Sequence, residues 1–309
     1  MRPGRFAPLA LAAVVSACGS DPVTADPDAG EPDSGLPDSG TPDSGAAGGG
    51  GRPAKCEDGP GYVDPSYPAL EVGAVTAHVE TIDGEPASDA LVEVCGINVC
   101  TRPQYTDENG DVSVVVDTPT QKPAVKYGDA YRYGEVALLF DEGGTDFGTL
   151  YVPRLPEAGA PLLPGLPAKS GGVTVTLPEG GRFELDPFAP YDTDEGRAFR
   201  AGELPKKRWP AGLDQGAKLE LIFTLAPLGA RLCPPASIEL PNSAGWDAGT
   251  EVELLLQGMD PGLDPGAQLF APYGEWQPFA TGIVSDDGDR IELSDGALPV
   301  VTNVGVRRR

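Results

Sequence analysis

Short runs in which apolar and polar residues alternate one for one recur along this chain, and a period of two is the spacing of a strand that buries one face. Within residues 72–81, Val75, Ala77 and Val79 alternate with Thr76, His78 and Glu80; residues 91–95 behave alike, and 111–117 place Val112, Val114 and Val116 on one side. The pattern returns at 173–177, 219–225, 238–240, 252–256, 277–284 and 291–293. Turn signals separate these runs, among them Asp83-Gly84-Glu85-Pro86, Asp107-Glu108-Asn109-Gly110 and the stretches 242–249, 260–266 and 286–289. Gly110 suits a hairpin position that needs positive φ. Glycine (42) and proline (34) make up about a quarter of the 309 residues, and no helix of useful length competes. The expectation is an all-β chain of two β-sandwich domains.

The N-terminus carries an address. Arg2 and Arg5 precede an apolar run over 6–15 and then Val15-Ser16-Ala17-Cys18, the layout of a secretory signal too short to span a bilayer as a mature helix. The small residues before the cysteine make the segment resemble the bacterial lipobox. That resemblance implies cleavage before Cys18, lipidation of Cys18 and a membrane-anchored mature protein in the cell envelope. Gly19 is not the aspartate that resembles an inner-membrane retention signal, so sorting to the outer membrane is expected. Residues 19–55 hold almost nothing apolar, and Glu31-Pro32-Asp33-Ser34-Gly35 recurs at 36–40 and 41–45. Such a segment cannot offset its ordering entropy and is expected to be a disordered acidic tether. Its 37 residues would reach roughly 110 Å in a polyproline-like state and roughly 35 Å as a coil. The expected divisions are a signal peptide (1–17), lipidated cysteine and tether (18–55), a first sandwich (56–140), a linker with a short strand at 149–152 (141–170) and a second sandwich (171–309).

A formal charge of −25 repels phosphate backbones, so nucleic acid is excluded as a partner. The basic runs Lys206-Lys207-Arg208 and Arg307-Arg308-Arg309 read as a solvated loop and a solvated tail. With Cys18 assigned to lipid, four of the five cysteines remain, an even number in an exported chain. Cys95 and Cys100 flank a four-residue turn, close enough to bridge; Cys56 with Cys233 then follows by elimination. The competing reading is a zinc site built from these thiols and His78.

Catalytic chemistry is sparse. His78 is the single histidine and lies on the polar face of its strand, which favours a solvent-exposed strand residue over a catalytic base. No Gly-x-Ser-x-Gly elbow, His-Glu-x-x-His helix, phosphate-binding glycine loop or dinucleotide fingerprint occurs, and no cofactor is expected. The acidic groups Asp192, Asp194, Glu195 and Asp286, Asp287, Asp289 sit in turn-like sequence and read as solvated carboxylates rather than glycosidase or calcium groups. Tyr127, Tyr131 and Tyr133, with Asp129 and Arg132 between them, form an aromatic and polar cluster of the kind that stacks on sugar rings, against the commoner role of tyrosines in sheet packing. Trp246 and Trp276 fall near turns, where they serve as a partner patch or as half-buried sandwich residues.

Residues 75–94, with Gly84-Glu85-Pro86 and Asp89-Ala90 before an apolar strand, followed by Thr106-Asp107-Glu108-Asn109-Gly110 and an alternating strand, resemble the carboxypeptidase regulatory-like domain, a transthyretin-like β-sandwich. The likeness covers about seventy residues and departs from the usual pattern at Asp89-Ala90, where Gly-Ala is commoner, and in the 95–100 insertion. Residues 225–241, with 248–252, Glu275-Trp276 and 284–288, are similar to ZU5-like modules of bacterial extracellular proteins. The first resemblance implies a non-catalytic accessory module. The resulting expectation is a non-enzymatic surface lipoprotein that binds envelope proteins or polysaccharide; the alternative is an accessory or degenerate hydrolase subunit acting on envelope peptide or glycan.

Overall fold

The computed structural model describes residues 59–141, 145–185, 193–263 and 269–309. Cys18, Cys56, Asp192, the signal segment and the tether lie outside them. Among the described residues no helix is long and apolar enough to cross a membrane. The fold is all-β: the described residues form twenty strands and one 3-10 turn, Lys206–Arg208.

The first nine strands make a small sandwich: β1 (Ala69–Leu70), β2 (Gly73–Thr81), β3 (Leu91–Cys95), β4 (Gln104–Tyr105), β5 (Asp111–Val116), β6 (Thr120–Gln121), β7 (Ala124–Tyr127), β8 (Val136–Leu139) and β9 (Thr145–Val152). One sheet runs β5-β2-β9, the other β4-β3-β7-β8, with β1 and β6 paired as a two-stranded ribbon. The alternation read from the sequence sets which side chains meet. Val75, Val79, Val114, Val116, Leu150 and Val152 from one sheet share a core with Val92, Val94, Val125, Tyr127, Val136 and Leu138 from the other. The turn before β5 needs its glycine: Gly110 has φ +87°, and a Cβ there would collide with the Val79 carbonyl oxygen. Asp107 shapes the same turn, its Oδ1 accepting from the amides of Asn109 (2.8 Å) and Asp111 (2.9 Å). The stretch expected to link the two units holds β9, which pairs in parallel with β2 from Val75↔Thr145 to Thr81↔Val152.

The remaining strands are β10 (Pro167–Ser170), β11 (Val173–Thr176), β12 (Arg182–Glu184), β13 (Arg200–Glu203), β14 (Leu221–Ala226), β15 (Arg231–Pro241), β16 (Glu251–Gln257), β17 (Trp276–Val284), β18 (Arg290–Asp295), β19 (Leu298–Val300) and β20 (Val304–Arg308). They form one antiparallel sheet in the order β10-β11-β15-β18-β17-β16-β20-β14-β13, with β12 and β19 paired to β15. The ends come together where the Ala201 amide of β13 donates to Ser170 Oγ of β10 at 3.2 Å. The faces of the second unit are thus joined strand by strand into a nearly closed barrel. Val173, Val175, Leu221, Phe223, Leu225, Ile238, Leu240, Val252, Leu254, Leu256, Val304 and Val306 fill it.

Barrel strands that touch the sandwich read differently from those that face water. All six residues of β14 are buried: Leu221, Phe223 and Leu225 point into the barrel, whereas Ile222 joins the sandwich core. In β16, Leu255 does the same between Leu254 and Leu256. A continuous apolar run is what a strand covered on both faces requires. Leu204, Leu213, Leu219 and Trp276 extend this contact, so the two units share one hydrophobic core.

A polar seam runs beside it. Gln257 Nε2 donates to the Ala137 carbonyl (2.7 Å), and Asn303 Nδ2 donates to the Glu135 carbonyl (2.9 Å) and to Gln257 Oε1 (2.8 Å). Tyr273 OH donates to the Cys95 carbonyl at 3.3 Å. Lys126 Nζ sits 3.1 Å from both Glu93 and Glu135, with all three side chains at least 86% buried. The two carboxylates hold the Lys126 ammonium far above its ordinary range against the cost of burial, and burial itself raises the Glu135 carboxyl. Lys122, also buried, bridges Asp64 (2.5 Å) and Glu275 (2.9 Å).

Two of the three terminal arginines are strand residues paired with glutamates rather than a free tail. Arg307 and Arg308 belong to β20, between β16 and β14; Arg307 forks onto Glu253 Oε2 with Nε (2.8 Å) and Nη2 (2.5 Å), and Arg308 Nε donates to Glu220 Oε1 at 3.0 Å. Flanking glutamates on strands paired with or leading into the same sheet supply the neutralisation that a run of like charges lacks by itself. Arg208 likewise stacks on Tyr151, 4.2 Å from the ring centre, rather than standing free in a loop.

Candidate functional site at the free edge of the sandwich

β3 ends in a hairpin closed by the Cys95–Cys100 disulfide, Sγ–Sγ 1.97 Å and Cα–Cα 4.0 Å. Within it the Gly96 amide donates to the Val99 carbonyl at 2.7 Å, and just beyond it Thr101 Oγ1 accepts from the Val94 amide at 3.0 Å. The hairpin is therefore a fixed lip, its tip tied to the 119–121 segment by the Ile97 amide on the Gln121 carbonyl (3.0 Å) and Asn98 Nδ2 on the Pro119 carbonyl (2.9 Å). Across from it lies β5, and between them is a groove of about 320 Å³ lined by Val99, Cys100 and Arg102 on one side and Ser113, Val115 and Asp117 on the other.

Among the described residues, β5 pairs with β2 and no other strand. Val79 opposite Gly110 is a hydrogen-bonded pair, N–H to O 2.7 Å, so by the antiparallel alternation Val112, Val114 and Val116 direct their amides and carbonyls at β2. Asp111, Ser113 and Val115 direct theirs outward. Asp111 is satisfied by Asp107 in both directions, 2.9 Å each. Among the described residues nothing bonds the outward backbone groups of Ser113 and Val115, and the Val115 side chain is 70% exposed.

The other sequence candidates resolve as follows. His78 is half-exposed on the polar face of β2, its Nδ1 2.8 Å from Asp111 Oδ1 and its Nε2 3.3 Å from Glu80 Oε1. The hydrogen bond to Asp111 raises its pKa above 6.5, opposed by partial burial and aided by Glu80. With both ring nitrogens engaged by carboxylates, the imidazole has no face for activating a nucleophile; it clamps β2 to β5.

The tyrosine cluster is not a surface. Tyr127 is fully buried on β7 and Tyr133 is 5% exposed, with its hydroxyl on the Ser88 carbonyl at 3.3 Å. Tyr131 and Tyr133 do not share a strand, because Asp129 Oδ1 accepts from the amides of Tyr131 (2.9 Å), Arg132 (2.6 Å) and Tyr133 (2.8 Å) and folds the chain into a tight loop. That loop turns Tyr133 inward. Tyr131 alone stays half-exposed, with the Arg200 guanidinium 4.7 Å from its ring centre. Trp276 is buried, donating to the Leu213 carbonyl at 2.8 Å; Trp246 is half-buried, 6.0 Å from Arg308.

Among the described residues, Glu93, Cys95 and Cys100 are the one group with metal-ligand proximity, and they do not fit an ion: the two sulfurs are spent on each other and Glu93 is paired with Lys126. The zinc alternative loses those thiolates. Cys233 is buried and disulfide-bonded, while Cys56 lies outside the described residues. Asp194 and Glu195 are exposed, and Asp287 caps its own turn, Oδ1 accepting from Ser285 Oγ (2.6 Å) and the Asp289 amide (3.1 Å); these bonds hold its carboxyl below the usual range.

The β5 edge was the feature hidden in the alternation. Three successive valines, 114–116, on a strand of period two force one of them outward, and that one is Val115.

No family model and no curated protein matches the chain. Among solved structures, a calcium-binding mutant of Bacteroides uniformis beta-glucuronidase 2 aligns with 76% of this chain at 12% identity and a TM-score of 0.16; the chain spans 29% of that structure's length. A likeness this weak carries no argument about fold or activity.

Proposed function

We propose that this chain is a non-enzymatic lipoprotein of the bacterial cell envelope, anchored through Cys18 in the outer membrane, whose folded part binds another envelope component. The observation that carries the binding role is the β5 edge with its groove, a regular strand whose outer side has no paired strand among the described residues. Burial of Tyr127 and Tyr133 removes the aromatic platform a polysaccharide would stack on, which favours a protein partner. The resemblance to the carboxypeptidase regulatory-like domain supports the same non-catalytic role, and the doubly engaged His78 offers no base for the hydrolase alternative.

The experiment is metabolic labelling of the full chain with a fatty acid in a Gram-negative host, followed by membrane fractionation. Cys18→Ser should accumulate as an unlabelled precursor, and the wild type should sediment with the outer membrane. Normal labelling of Cys18→Ser removes the anchor.

A further inference from the structure

We infer that the β5 edge captures an extended, basic segment of a partner protein as an added strand, lying along Ser113 and Val115 in the groove beside the Cys95–Cys100 hairpin. This deepens the binding role proposed above and rests on it. Natural sheets blunt their edges with bulges, charges, prolines or covering elements, because an unpaired row of amides and carbonyls templates another strand. The other edges here are blunted. β9 is interrupted by a register shift between Thr76 and His78 and by Gly148 at φ +60°, β4 is two residues long, the outer side of β8 accepts from Gln257, and the barrel ends meet at Ser170 and Ala201.

Between Asp111 and Asp117, β5 has no bulge and no proline. Val112-Ser113-Val114-Val115-Val116 is proline-free and rich in β-branched valine, and its outward backbone groups at 113 and 115 are ready for a ladder, which is how strand addition gains affinity. Inward-pointing side chains of an added strand would rest on Val116 and the Cys100 sulfur, both in the groove wall.

Charge selects the occupant. Asp111 and Asp117 stand at the two ends of the free stretch, on a chain of net charge −25. A second copy is disfavoured: antiparallel pairing of two β5 strands that sets Ser113 against the partner copy's Val115 also sets Asp111 against Asp117 at both ends, and like charges directly opposite are destabilising. The chain's own 19–55 segment is disfavoured by its aspartates and by prolines that cannot donate to a ladder. The groove lining contains one cation, Arg102, so lysines of the incoming strand belong at its ends rather than its middle.

The test uses the full chain in detergent and a synthetic peptide of alternating valine and threonine with two lysines at each end, read by fluorescence anisotropy and by amide hydrogen exchange. Binding should slow exchange at Ser113 and Val115. Replacing the lysines by glutamates should weaken binding at least tenfold at low salt, and the gap should narrow at high salt. Val115→Pro should abolish binding without costing a bond to β2, since that amide points outward. If Val115→Pro does not fold, as judged by thermal melting, Val115→Lys keeps the backbone and should weaken the lysine peptide at least tenfold. Equal affinity for wild type and these variants, indifference to the peptide's charge, or no protection at Ser113 and Val115 overturns the proposal. Failure of the peptide with normal Cys18 labelling removes this site and leaves the anchored-lipoprotein reading standing.

Discussion

The sandwich and the barrel are built from the same valine-rich alternation, yet they treat their edges in opposite ways. The barrel brings β10 and β13 together, leaving little backbone for another chain to read. The sandwich splits its strands into sheets of three and four, too few to curl shut, and so keeps a regular edge at β5. Closure uses up the barrel's edges; incompleteness leaves the sandwich the one edge proposed above to take a partner strand. Between them, the shared apolar core and the Lys126 seam make the open unit lean on the closed one.

The sharpest way to break this comparison is Lys126→Met. Removing the ammonium leaves Glu93 and Glu135 buried against each other, which should cost about 3–5 kcal/mol and split a single melting transition into a sandwich step and a barrel step. Because burial raises the Glu135 pKa, its protonation relieves the unpaired charge, so the loss should shrink as pH falls. One unchanged transition in differential scanning calorimetry would show that the seam does not couple the units. A smaller effect comes from Cys95→Ser with Cys100→Ser. Opening so short a loop should cost roughly 2 kcal/mol by chain entropy, and hydrogen exchange should accelerate in β3 and β4 while the barrel amides stay protected. Acceleration in the barrel as well would mean that the disulfide supports the whole body. The smallest effect is His78→Ala, under about 1 kcal/mol as for exposed ion pairs. His78 is raised above 6.5, so its contribution is complete below that value and is lost as pH rises through the folded-state pKa. The variant should therefore differ from wild type in chemical denaturation at pH 6 and match it at pH 9.

What the sequence made legible was whatever depends on neighbours along the strand. Val75, Ala77 and Val79, or Val112, Val114 and Val116, announce both a strand and its buried face, and Gly110 announces a positive φ. What escaped depends on neighbours across the fold. Lys126 looks like a solvent residue between Val125 and Tyr127 until Glu93 and Glu135 arrive from other segments. β9 joins β2 in parallel across more than sixty residues, a pairing with no local signature. Arg307 and Arg308 read as a tail because Glu253 and Glu220, which neutralise them, lie 54 and 88 positions away. The uninterrupted Leu221-Ile222-Phe223 was the available clue that this strand is covered on both sides.

The position of β20 has a consequence for how the protein comes into being. It slots between β14 and β16, strands that precede it by some fifty to eighty positions in the chain, so loop closure must be met before any of its ladder forms. During synthesis from the N-terminal end, β14 and β16 exist first, each with an unpaired row of amides and carbonyls awaiting the same late arrival. For that interval the nascent molecule carries two sticky margins that the finished one never displays, and an attendant that shields extended chains would find its work there, at a place invisible in the mature fold.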